Sequence, residues 1–172
     1  MDEIHPLSVS EAFDNRTMEL LETYYPGFKP TITRNGDFLS FSLPADNESE
    51  YSFVLTEFVG ERQITAKRVQ SPPGEYFWYH QFESADYKDD VSRLTDAFNK
   101  KLAIILSHDT RVRQRVGIVW ASFRCEYLDA GRWRNLGFSS TCLRWTGLKP
   151  PSGSLYKAVY YRGPKGRNPT RS

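Results

Sequence analysis

Apolar residues recur along this chain at two spacings, and the switch between them marks out its elements. Ser8-Val9-Ser10-Glu11 fits a capping box, in which the serine hydroxyl accepts from an exposed amide and the glutamate reaches back. Val9, Phe13, Leu20, Leu21 and Tyr24 then follow near one helical face as far as Pro26-Gly27. The clearer helical stripe is Tyr87, Val91, Leu94, Phe98, Leu102 and Ile105, with Asp86 as the expected N-cap. Asp89 and Asp90 at its start and Lys100 and Lys101 late in it complement the helix dipole.

Elsewhere the period is two. Leu39, Phe41 and Leu43 alternate with polar residues behind Arg34-Asn35-Gly36-Asp37, where Asn-Gly predicts a type I′ hairpin turn. Residues 51–59 and 63–69 form a second expected hairpin around Gly60-Glu61. In residues 76–83, Tyr76, Trp78, His80 and Phe82 share one face. Past the second helix, Val119, Ala121, Phe123, Cys125 and Tyr127 alternate with Trp120, Ser122, Arg124 and Glu126. Asp129-Ala130-Gly131 turns this strand into residues 132–145, long enough to need a bend near Gly137, and residues 155–161 form a last strand.

The order is α, four or five β, α, then three β. Short turns make neighbouring strands antiparallel, which predicts an α+β fold with two helices on a largely antiparallel sheet. Several unrelated groups of small bacterial proteins, secretion chaperones and immunity proteins among them, share this general order, an analogy of architecture that implies no function. The chain has 172 residues, 39% apolar and 15% aromatic, enough for one domain with a core of its own. That domain is expected over residues 1–161. Residues 162–172, basic and rich in Gly and Pro, are expected to be a disordered tail.

Charge changes the picture more than composition does. The net charge is only +2. Residues 1–110, however, carry 10 bases against 19 acids, net −9, and residues 111–172 carry 13 bases against two acids, net +11. Ten of those 13 bases are arginine. Arg111, Arg113 and Arg115 alternate with Val112, Gln114 and Val116. If that segment is extended, three guanidiniums line one face about 6.6 Å apart. Arg124, Arg132, Arg134 and Arg144 follow, interleaved with Trp120, Trp133 and Trp145. Such a set can be neutralised by the acidic part of the fold, stack on its own tryptophans, or face an anionic partner.

Catalytic signals are few. No phosphate loop, dinucleotide fingerprint, Gly-x-Ser-x-Gly elbow or metal-ligand spacing occurs, so no cofactor and no metal is expected. His80 with Glu83, and His108 with Asp109, are the candidate acid–base groups of a cofactor-independent hydrolase or nuclease. In a strand, however, His80 and Glu83 point to opposite faces. Cys125 and Cys142 can be two buried thiols or one bridge across paired strands. With no apolar run long enough to span a membrane and an acidic N-terminus, the expectation is a cytoplasmic protein.

The leading reading is a non-catalytic binding module. It presents Arg111, Arg113, Arg115, Arg124, Arg132, Trp133, Arg134, Arg144 and Trp145 to an acidic protein partner. RNA or single-strand binding is the alternative, and the histidine-dependent hydrolase is a third.

Overall fold

Asp14 starts the first helix: its carboxylate accepts from the Thr17 amide at 3.0 Å, taking one of the donors a helix N-terminus leaves open. A computed structural model describes residues 13–58, 61–69, 76–88, 90–117, 120–142 and 158–169. Helix α1 runs Asn15–Tyr24, so Phe13 and Asp14 precede it, and the Ser8–Glu11 capping box lies outside the described residues. Phe13 is nonetheless buried, meeting Phe41 edge-on at 4.9 Å.

Strands β1 (Thr33–Asn35) and β2 (Phe38–Ser42) pair with Asn35 opposite Phe38, which leaves Gly36 and Asp37 as the two loop residues. Gly36 alone takes positive φ there, at 61°, as in a type II′ turn. The hairpin was legible, but its turn sits one residue later than Asn-Gly suggested. β3 (Tyr51–Phe58), β4 (Glu61–Arg68) and β5 (Tyr76–Glu83) extend the meander into a five-stranded antiparallel sheet. Its inner face carries Phe41, Tyr51, Phe53, Leu55, Ile64, Ala66, Trp78 and Phe82, all buried.

A 3-10 turn, Ser84–Tyr87, leads to helix α2 (Val91–Ser107). Its cap is Asp90, whose side chain accepts from the amides of Ser92 and Arg93, and not the expected Asp86. The core stripe is accordingly Leu94, Phe98, Leu102 and Ile105, joined by Thr95 and Leu106; Val91 is 64% exposed. Phe98 meets Phe82 edge-on at 5.4 Å, which seats α2 on β5, while α1 packs beside α2.

Strands β6 (Thr110–Val116), β7 (Trp120–Asp129), β8 (Arg132–Cys142) and β9 (Ala158–Arg162) form a second antiparallel sheet, in the order β8-β7-β6-β9. Among the described residues the fold is thus α+β with antiparallel sheets of five and four strands. Period-two patterning alone does not show where one sheet ends and the next begins. β8 and β7 pack against β5. A bulge at Leu136 shifts the β7–β8 register, and Lys101 of α2 donates to the Leu136 carbonyl at 3.0 Å. The bend expected near Gly137 is this bulge, and Gly137 is needed because a Cβ there would lie 2.7 Å from the buried Trp78 ring. Cys142 pairs with Trp120, five positions along β7 from Cys125. That is roughly 17 Å, well beyond disulfide reach. Cys125 is buried and free, and burial pushes its thiol far above the usual range.

The largest departure from expectation is at the C-terminus. Residues 163–167, expected to begin a disordered tail, are docked by main-chain hydrogen bonds. The Gly163 amide donates to Thr110 O, the Thr110 amide to Pro164 O, and the Arg167 amide to Leu106 O at the end of α2. Gly166 N donates to Asp109 and Lys165 N to Asp46. Arg167 lies 4.3 Å over the Tyr25 ring. Gly163 is buried where a Cβ would come within 2.2 Å of Tyr51 Oη. Gly163→Ala is therefore expected to destabilise the fold by roughly 1–3 kcal/mol through overpacking. In urea unfolding the midpoint should fall with little change in slope.

Candidate functional site

Register decides which arginines meet. On β7, Ser122, Arg124, Glu126 and Leu128 alternate with Ala121, Phe123 and Cys125, which are buried toward the first sheet. Residues directly opposite in an antiparallel pair share a face. One row across the outer face of the second sheet therefore reads Phe138, Arg124, Arg113, Tyr160. The next reads Asn135, Glu126, Arg111, Arg162. Arg115 stands opposite Ser122, and Trp133 opposite Leu128.

Arg111, Arg113, Arg115, Arg124 and Trp133 thus share this face. Arg132 and Arg134 pair with Asp129 and Tyr127, so they belong to the other face of the β7–β8 hairpin, where Arg134 binds Asp129 at 2.7 Å. Arg144 and Trp145 lie outside the described residues.

The five do not play one role. Arg111 is engaged through two of its three nitrogens and through its guanidinium plane. Its Nε donates to Glu126 Oε2 at 2.8 Å and a terminal nitrogen reaches the same oxygen at 2.8 Å. Its guanidinium carbon lies 4.0 Å from the Trp133 ring centre and 4.5 Å from that of Tyr160. Glu126 is only 6% exposed, so Arg111 is what compensates a buried carboxylate. It is a clamp joining β8, β7, β6 and β9, and it has little left to offer a ligand.

Arg113, Arg115 and Arg124 differ. Arg113 reaches Glu126 Oε1 only at 3.5 Å, long for a hydrogen bond. Arg124 has a buried Nε with no hydrogen-bond partner among the described residues. Arg115 is exposed and has no carboxylate partner among them. Arg113 and Arg124 sit directly across from each other, an arrangement that like charges disfavour. Phe138 at 57% and Tyr160 at 49% exposure close the row at either end.

The charge division between the two parts of the chain is repaid only in places. Glu48 binds Arg162 at 3.1 Å and Lys165 at 3.0 Å, and Glu50 accepts from the Arg162 amide. These contacts are exposed and screened by solvent, so they add little to stability. They engage Arg162 and Lys165 and leave the arginine row untouched. Beside the Arg111 clamp lies a half-open cavity of about 280 Å³, walled by Trp133, Tyr160 and Tyr161 and rimmed by Glu50, Asp109 and Lys165.

Neither histidine meets a carboxylate among the described residues. His80 stands between Trp78 and Phe82 in an aromatic stack, and burial, assisted by the nearby Lys101 charge, lowers its pKa to about 4. His108 Nδ1 contacts Ser107 Oγ at 2.7 Å and the Ile104 carbonyl at 3.1 Å, and its ring meets Tyr127. Asp109, its neighbour in sequence, is occupied by the Gly166 amide. No group of three or more possible metal ligands occurs among the described residues, and no helix there is long and apolar enough to cross a membrane.

Sequence reasoning singled out Arg113, Arg115 and Arg124 but missed the partners that define the row, Phe138 and Tyr160. The available signal was their place on segments already read as strands; the exact pairing was not. Comparison with protein-family models, curated protein sequences and solved structures returns no match, so the geometry carries the functional reading by itself.

Arg111→Ala leaves the buried Glu126 with only the longer Arg113 contact and should cost about 3 kcal/mol in urea unfolding. Arg115→Ala should stay within about 0.5 kcal/mol of the parent. His80 is protonated more readily in the unfolded chain, at 6.5, than in the fold, at about 4. Its contribution to stability is complete above about pH 6.5 and is lost as pH falls toward 4. His80→Phe, which keeps the aromatic stack, should flatten the decline in melting temperature between pH 6.5 and 5. An unchanged decline would show that other groups cause it.

Proposed function

We propose that the chain is a non-catalytic binding module whose outer second-sheet face receives an acidic segment of a partner protein. The observation that carries this reading is the row Phe138–Arg124–Arg113–Tyr160, in which two incompletely paired arginines lie between two half-exposed rings. Arginine and aromatic residues side by side supply charge and apolar area at once, the combination that concentrates binding energy in protein interfaces. Glu126 in the middle of the face and Glu50 and Asp109 at its rim oppose a continuous polyanion track. That favours a protein over RNA or single-stranded DNA. The hydrolase alternative finds no carboxylate paired with either imidazole among the described residues.

The test is fluorescence polarisation with a labelled peptide of alternating Glu and Leu, and in parallel with a single-stranded oligothymidylate, at two salt concentrations. Binding of the peptide is expected. Arg113→Ala with Arg124→Ala should weaken it at least tenfold, since each charge-assisted contact contributes about 1.5–3 kcal/mol. Tighter binding of the oligonucleotide, with a salt slope of several phosphates, transfers the reading to nucleic acid. Binding of neither rejects the interface.

A further inference from the structure

Three cationic side chains converge on the outer face where one carboxylate is available. Arg113 and Arg124 are cross-strand partners, and Arg115 is two positions along β6 from Arg113 and diagonal to Arg124. In a sheet these separations are about 5 Å across and 7–8 Å diagonally. The only described acid beside them, Glu126, gives its closer contacts to Arg111 and reaches Arg113 at 3.5 Å. The buried Arg124 Nε has no partner among the described residues. A single carboxylate, with one charge and two oxygens, leaves part of this cluster unmatched.

We propose that the group recognised here is a phosphate monoester carried on a side chain of the partner. The proposal rests on the binding-module reading above and narrows its ligand. A phosphate monoester carries close to two negative charges at neutral pH and three terminal oxygens. Three guanidiniums from three positions can each present a fork to one of them. Phe138 and Tyr160, exposed at the two ends of the row, offer apolar contact to the residues flanking the modified one. A nucleic-acid strand fits less well. Its phosphates carry one charge each and repeat along a line, whereas Glu126 consumes the cation of the next row at Arg111, so the positive charge forms a cluster and not a track.

The experiment uses the full chain and three versions of one nine-residue peptide, with its central position phosphorylated, unmodified, or replaced by Glu. A phosphotyrosine set and a phosphoserine set are titrated by calorimetry. An unphosphorylated oligothymidylate serves as the nucleic-acid arm. In parallel, phenyl phosphate and benzoate are followed by the NMR signals of the arginine Nε–H groups. At least one phosphopeptide should bind tenfold or more tightly than its Glu twin. Phenyl phosphate, and not benzoate, should shift the Arg113, Arg115 and Arg124 signals. Arg115→Ala, an exposed position that leaves folding intact, should erase most of the preference, with Arg124→Lys as a second variant that keeps the charge and removes the fork. Equal binding of phospho and Glu peptides in both sets overturns this inference and leaves the acidic-partner reading standing. Binding of no peptide overturns both. An oligonucleotide that binds as tightly as the phosphopeptides overturns the monoester in favour of nucleic acid.

Discussion

A carboxylate removed from water has to be matched where it lies, and Glu126 is 6% exposed in the middle of the second sheet. It is one of only two acids in residues 111–172. Arg111 answers it with two contacts of 2.8 Å to one oxygen, and that guanidinium is fixed in turn between Trp133 and Tyr160. The clamp therefore draws together a strand from each side of β6 and β7, and it orients the aromatic residues of both outer strands. It also sets the electrostatics of the face. Once Arg111 has claimed Glu126, the arginines of the neighbouring rows have almost no negative charge left among the described residues.

The first sheet uses the same device for a different end. Arg62 of β4 is 7% exposed, binds Asp14 at 2.5 Å and Glu57 at 3.6 Å, and lies 5.4 Å from the Phe98 ring centre. Asp14 is the cap of α1, and Thr17 beside it is hydrogen-bonded to Asn99 of α2 at 2.8 Å. One guanidinium thus ties a helix N-terminus, a second helix and a sheet together. Burial acts to raise Asp14, but its bonds from Arg62 and Thr17 outweigh that and hold its carboxyl below the ordinary value. Glu57, with one buried oxygen lacking a partner among the described residues, is raised instead by burial. Here the buried cation has a structural duty. The contrast with Arg115 and Arg124 is what separates a scaffold arginine from an available one.

That distinction was not visible along the chain. The α2 stripe through Leu94, Phe98, Leu102 and Ile105 was legible because a helix reports its buried face at a fixed period, and so was the alternation around Trp78 and Phe82. The cap was not, since Asp86, Asp89 and Asp90 are all eligible and only the preceding turn selects among them. Composition made residues 163–167 look disordered. What holds them is main-chain hydrogen bonding and the absence of side-chain bulk at Gly163, neither of which composition measures. Arg111 and Arg115 read identically in an Arg-x-Arg-x-Arg segment. They part only when pairing places Glu126 opposite one and Ser122 opposite the other.

Placing Arg124 against Arg113 costs the folded state, because like charges directly across a sheet repel and a buried Nε without a partner among the described residues forfeits its hydration. Nothing in the core requires it: the inward neighbours Val112, Phe123 and Cys125 pack whatever stands on the opposite face. An anion that settles over the row gains its own contacts and also relieves the repulsion, so affinity there exceeds what the same arginines would supply if they were already paired. The coupling runs both ways, and a bound anion must stabilise the fold by the free energy of its binding. A surface of this kind is weakest when empty. That property distinguishes it from the Arg62 and Arg111 clamps, whose carboxylates are built into the chain.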